Sequence, residues 1–191
     1  MGASSAAGYE RGLQASVDGF AHQLVAAGIL MKRYQNVSLV DLPLSPYDAI
    51  IVLKERDGEE RIIRLQVKTC RSAVSFIGGS RGGADRTYKS DVKRYRQSTK
   101  TSDVVVGVHP SGQNSFDLYF VPTILVEELG QGSISLGKIE ALKNNYEMLE
   151  HCRDREFVIE KCLQYGVLKA KPYSPRRPRR SAPAARPVRG Q

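Results

Sequence analysis

Three residues could do chemistry together here: Asp48, Gln66 and Lys68. A carboxylate and an amide carbonyl are oxygen donors suited to a hard divalent cation, the amide being neutral and so the weaker of the two. An ammonium beside them offers positive charge to an anion. All three fall in one stretch, SPYDAIIVLKERDGEERIIRLQVKT, from Ser45 to Thr69. It reads as two β-branched apolar runs joined by a polar turn, with Asp48 opening the first run and Lys68 near the end of the second. In the second run Ile63, Leu65 and Val67 alternate with Ile62, Arg64, Gln66 and Lys68, so Gln66 and Lys68 share one strand face.

Register decides whether Asp48 joins them. A two-residue loop at Asp57-Gly58 would set Asp48 opposite Val67 and turn it to the other face, because opposite residues share a face. A three-residue loop, Arg56-Asp57-Gly58, suits a type I turn followed by a left-handed glycine and pairs Asp48 with Gln66. The three-residue loop is the expected one.

The hairpin resembles the core motif of the PD-(D/E)XK nuclease superfamily. Pro46-Tyr47-Asp48 stands where that family has its Pro-Asp, with one residue inserted, and Gln66-Val67-Lys68 stands for its acid-x-Lys, with Gln for the acid. The Gln variant is similar to the group I intron-associated homing endonucleases; archaeal Holliday junction resolvases are a more distant likeness. The resemblance covers roughly the first two thirds of the chain. It implies a restriction-endonuclease-like α/β fold, a mixed central sheet flanked by helices, and Mg²⁺-dependent hydrolysis of DNA phosphodiesters, with Mn²⁺ as a substitute. It implies that Asp48 and Gln66 hold the metal and that Lys68 orients or helps deprotonate the attacking water. Cutting both strands with one site per small subunit implies a dimer or tetramer. A catalytically inactive nucleic-acid-binding module of the same fold is the alternative, since one carboxylate and one amide make a thin metal site.

The elements that must position this site follow in order. Residues 3–27 read as a helix with Leu13, Val17, Phe20, Leu24 and Ala27 as its apolar stripe and Gly28 as its end. Members of the superfamily often carry a metal-binding Glu on such a helix. The usual slot falls near Val17, which is no acid, so Glu10, two turns earlier on nearly the same face, is carried as the third ligand; a helix-start acid favoured by the macrodipole is the competing reading. VSLVDL reads as a first strand. Residues 76–90, rich in Gly and polar side chains, read as neither helix nor strand. Arg81, Arg86, Tyr88 and Lys89 in that stretch are placed against DNA phosphates, an ordinary mobile loop being the competing reading, and no Gly-Lys-Ser/Thr follows its glycines to make a P-loop.

Asp103–His109 and Phe116–Pro122 read as two more strands around a Pro110–Asn114 turn, the first apolar on both faces and therefore central. His109 is assigned a structural place. A short helix is expected over 125–129, and one or two helices over 137–162 with Ile139, Leu142, Tyr146 and Leu149 as a core stripe.

Charge is concentrated at one end. Of 29 Lys and Arg residues eight lie from Lys169 onward, where none of the 20 acids falls, leaving 21 basic against 20 acidic groups elsewhere. Residues 1–168 are therefore read as a near-neutral nuclease-like domain. Residues 169–191 are read as a disordered Pro/Arg-rich tail, with Arg176, Arg177, Arg179 and Arg180 contacting nucleic acid. Cys70, Cys152 and Cys162 have neither disulfide nor zinc spacing. No apolar run is long enough for a membrane and no secretory signal is visible, so a cytoplasmic, nucleoid-associated setting is expected.

Overall fold

The computed structural model describes residues 3–42, 45–55, 57–78 and 94–169. A long helix, α1 (Ala3–Met31), leads into β1 (Val37–Leu39), β2 (Ala49–Lys54) and β3 (Glu60–Thr69). Short strands β4 (Ala73–Ser75), β5 (Ile77–Gly78) and β6 (Tyr95–Arg96) precede β7 (Val104–Pro110) and β8 (Phe116–Pro122). Then come α2 (Thr123–Leu129), β9 (Ser133–Ser135), two 3₁₀ turns, α3 (Tyr146–Glu150) and α4 (Arg155–Gln164). The main sheet runs β1-β2-β3-β7-β8. Among the described residues of this sheet only β3 and β7 pair in parallel, so the sheet is mixed, and the chain between them is the crossover that a parallel pair requires.

The hairpin adopts the three-residue register. Pairing runs from Ala49 opposite Leu65 to Lys54 opposite Glu60, and the Glu55 N–H closes on the Glu59 carbonyl at 2.8 Å. Gly58 has φ +87°, the left-handed conformation this loop demands and which a side chain would strain. One step before the ladder, the Asp48 N–H donates to the Leu65 carbonyl at 2.8 Å. Asp48 therefore faces the same way as Gln66.

β3 and β7 separate two apolar layers. On one side Ala26 and Leu30 of α1 pack with Ile51, Ile63, Leu65, Val67, Val104, Val106 and Phe120. On the other, Val105, Tyr119 and Val121 pack with Ile124 and Leu125 of α2 and Val158 and Cys162 of α4. β7 is the central, covered strand its sequence implies, with 104–108 all buried. At Gly107 an added Cβ would lie 2.6 Å from Val74 Cγ2 and 3.1 Å from Cys70 Sγ, so glycine lets the crossover close onto the sheet.

Several expectations are corrected. α1 continues past Gly28 to Met31, because Ile29 and Leu30 are packed under the sheet and tertiary contact outweighs glycine's cost of about 1 kcal/mol in a helix. Of its expected stripe only Ala27 is buried. Leu13, Val17, Leu24 and Phe20, the last at 63%, are exposed. The sheet-facing residue Ala26 lies roughly 200° around the helix from Leu24. Phe76, expected in an irregular stretch, is wholly buried, and β5 just after it pairs with β6. Ile139, Leu142, Tyr146 and Leu149 do not form one stripe. Ile139 and Leu142 enter the α2/α4 layer, Tyr146 and Leu149 the α1 layer. The switch occurs at Asn144, at φ +51°, whose side chain accepts the Leu118 N–H at 2.9 Å and donates to Asp117 at 3.0 Å. α3 and α4 then start afresh, capped by Asn145 and Asp154. The three cysteines are free and buried.

Candidate active site

Asp48, Gln66 and Lys68 lie at the end of the β2–β3 hairpin, on the sheet face away from α1. One Asp48 oxygen, Oδ2, accepts the Val67 N–H at 2.8 Å and a short hydrogen bond from Gln66 Nε2. Lys68, the next side chain on that face, acts on Asp48 through its charge without a direct ion pair. Burial pushes the Asp48 carboxyl above the ordinary carboxylate range, and the Val67 N–H and Lys68 oppose that only in part. Burial also lowers Lys68 from its ordinary value, against the pull of Asp48. Each ion is thus short of the counter-charge that would offset its desolvation.

Gln66, 8% exposed, is held at both ends of its amide. Its Nε2 faces Asp48 and approaches the Val67 carbonyl at 3.3 Å, while its Oε1 accepts from Gln97 Nε2 at 3.0 Å. Gln97, fully buried, follows β6 directly. Its Nε2 also reaches the Pro46 carbonyl at 3.3 Å, and its Oε1 accepts from the Thr101 and Ser102 hydroxyls at 2.5 and 3.0 Å. Nothing in the residue pattern RQSTKTS marks Gln97, which lies 31 positions after Gln66 and reaches it only through the crossover.

The remaining expected residues stand apart. Glu10 is exposed on the N-terminal half of α1, and no hydrogen bond or ion pair joins it to Asp48. Among the described residues no group of three His, Cys, Asp or Glu could enclose a metal ion. His109 Nδ1 lies 3.2 Å from the Cys70 carbonyl and its ring meets Tyr119 edge-on, a structural placement. His22, not singled out by its sequence, ties α1 to the end of β3: Nδ1 lies 2.7 Å from Thr69 Oγ1 and the ring packs on Phe116. Arg81, Arg86, Tyr88, Lys89, Arg176, Arg177, Arg179 and Arg180 lie outside the described residues.

The donor set fits a magnesium ion, which keeps several waters and commonly takes only one or two protein carboxylates beside substrate phosphates. The second Asp48 oxygen and the Val67 carbonyl are oxygens of the right hardness. The Gln66 carbonyl is of the right type but turned toward Gln97.

No family model and no curated protein sequence matches the chain. Among solved structures, the fold is similar to that of a bacterial homing endonuclease, I-Ssp6803I, with a TM-score of 0.51 at 14% identity, covering 78% of this chain and 96% of that one. The likeness is one of fold, and no helix among the described residues is long and apolar enough to cross a membrane.

Proposed function

We propose that this protein is a Mg²⁺-dependent DNA endonuclease, with Mn²⁺ able to substitute, of the homing or junction-resolving kind. The observation that carries the reading is the hairpin register, which brings a counter-charge-poor carboxylate beside Gln66 and Lys68 on a fold shared with a homing endonuclease. Asp48 would hold the ion through its free oxygen, joined by the Val67 carbonyl and, once turned, by Gln66. A bound divalent ion would supply charge to the scissile phosphate and acidify a water. Lys68, its affinity for a proton weakened by burial, would orient that water, take its proton or offset charge on the phosphate. The arginines and lysines of 79–93 and of the C-terminal tail would contact phosphates, which position DNA without reading its sequence. Two or four copies would cut both strands. A non-catalytic DNA-binding module is the second reading, favoured by the amide at 66 and by the lack of an acidic cluster among the described residues.

The test is plasmid nicking with Mg²⁺ and with chelator. Lys68→Ala is expected to lose cleavage while its melting temperature stays nearly unchanged, because truncating a partly exposed lysine leaves no core cavity. Nicking by Lys68→Ala at the wild-type rate would defeat the assignment, and DNA binding without any nicking would favour the second reading.

A further inference from the structure

We propose that Gln97 is the positioning residue that fixes which end of the Gln66 amide faces Asp48, and so governs whether Gln66 can serve as a metal ligand. The inference rests on the nuclease reading for its purpose, but its geometry stands on hydrogen-bond polarity alone. A peptide carbonyl only accepts. The atom of Gln97 that lies 3.3 Å from the Pro46 carbonyl must therefore be its NH₂ group. The same NH₂ lies 3.0 Å from Gln66, which must answer with its carbonyl. That leaves the Gln66 NH₂ pointing at the Asp48 carboxylate and the Val67 carbonyl, two further acceptors.

The chain of two amides thus has one direction. The Pro46 carbonyl fixes that direction: the Thr101 and Ser102 hydroxyls beside the Gln97 Oε1 can donate or accept, but turning Gln97 over would set carbonyl against carbonyl at Pro46. Gln97 is completely buried and every polar function it has is used, so no water can substitute for a lost partner without rearrangement.

The consequence falls on the metal. While Gln97 donates to Gln66, the group beside Asp48 is an N–H, which repels a cation. Gln66 can offer its carbonyl only by giving up the Gln97 bond and rotating. Gln97 therefore sets the cost of recruiting Gln66, as outer partners of metal ligands commonly do.

The experiment uses four full-length proteins without DNA: wild type, Gln97→Glu, Gln66→Met and the double variant. A carboxylate at 97 can still accept from Thr101 and Ser102 but cannot donate; it gives up the Pro46 contact, pulls the Gln66 NH₂ toward itself and turns the Gln66 carbonyl to Asp48. In a calorimetric Mn²⁺ titration Gln97→Glu is expected to bind about tenfold more tightly than wild type, within the range by which outer partners tune metal affinity. That gain should vanish in the Gln66→Met background. A gain that survives there would come from the new charge alone and would overturn the proposal, as would no gain in a folded Gln97→Glu. Should Gln97→Glu not fold, the side-chain amide NMR signals of Gln66 decide. They are expected shifted downfield in the wild type and moved toward free glutamine in Gln97→Met; unmoved signals would overturn the proposal. This second measurement needs neither metal nor DNA. If none of the proteins binds Mn²⁺, the nuclease reading loses its metal and the amide signals still judge Gln97.

Discussion

Asp48 and Asp103 are the same structural device with opposite electrostatics. Each stands immediately before a β-branched strand, β2 or β7, and the two strands flank β3. Each donates its own N–H to a β3 carbonyl at 2.8 Å, Asp48 to Leu65 and Asp103 to Arg64. Each carboxylate accepts a β3 N–H in return, from Val67 at 2.8 Å or Arg64 at 2.7 Å. The difference lies in what else arrives. Asp103 receives the Arg64 guanidinium at 3.1 and 2.9 Å and Arg153 at 3.0 Å. Burial alone would raise its carboxyl, but the hydrogen bonds from these two arginines bring it below the ordinary range. Asp48 receives only amides and a nearby lysine charge, and burial keeps it above that range. A strand-start carboxylate saturated by arginine locks a sheet; one left short of positive charge is available to a cation.

Exchanging each acid for its amide should separate the two roles. Asp103→Asn would strand the partly buried Arg64 guanidinium and the half-exposed Arg153. It should cost about 3 kcal/mol, the lower end of what breaking a buried pair costs, since both arginines reach solvent. Cleavage per folded molecule should persist. Asp48→Asn should do the reverse. Its amide oxygen can still accept the Val67 N–H, so melting should stay within about 1 kcal/mol of wild type while nicking disappears. If Asp48→Asn melts as low as Asp103→Asn, both aspartates are structural and the contrast is void.

A smaller effect is expected at Gln66. Gln66→Glu keeps an oxygen for Gln97 and presents a second, charged one to Asp48. Two carboxylates facing each other favour a divalent ion between them. The Mg²⁺ concentration for half-maximal nicking should therefore fall about tenfold, equivalent to ~1.4 kcal/mol. The added carboxylate would also hold Lys68 more firmly protonated, which works against it as a base. A Mg²⁺ titration of both proteins at constant ionic strength reads the shift, and an unchanged midpoint would remove Gln66 from the ion's surroundings.

Much of this was open to a reading of the sequence. The hairpin, its three-residue turn and the β7–β8 pair follow from β-branched alternation and from Asp57-Gly58, all local signals. The similar DAIIVL and DVVVGV runs also announce two strand-start acids, although only the first lies near a Gln-x-Lys. What local pattern cannot carry is which partner a buried polar group finds. Gln97 reaches the Gln66 amide across 31 residues of chain and Arg153 the Asp103 carboxylate across 50, and no spacing encodes that. α1 misled for a related reason. Its two opposite faces both bear apolar residues, and only the depth at which Ala26 and Leu30 seat under the sheet selects between them.

The smallest expected effect is also the most direct measure of the contrast: stability against pH. In the folded protein the Asp103 carboxyl titrates below its ordinary value of 3.8. The unfolded chain therefore takes up this proton first on acidification. The stability contributed by Asp103 is fully present above 3.8 and drains away as the pH falls through the lower folded value. For Asp48 the folded value lies above 3.8, so the folded protein takes up the proton first. Ionising Asp48 then costs stability once the pH exceeds the folded value, and acidification from neutrality toward 3.8 removes that cost. Urea melts of wild type and the two Asn variants between about pH 7 and 3 should give difference curves of opposite sign. The Asp103→Asn deficit should stay flat down to about pH 4 and shrink below it. Asp48→Asn should gain slightly on wild type at about pH 7, less what Lys68 loses in counter-charge, and that gain should fade on acidification toward about pH 4. Each slope is bounded by about 1.4 kcal/mol per pH unit for one proton, so the Asp48 limb needs midpoints good to a few tenths of a kcal/mol. A deficit for Asp48→Asn that mirrors the Asp103 curve would mean that Lys68 already neutralises Asp48 as fully as two arginines neutralise Asp103, and a carboxylate so satisfied would have little pull on a metal ion.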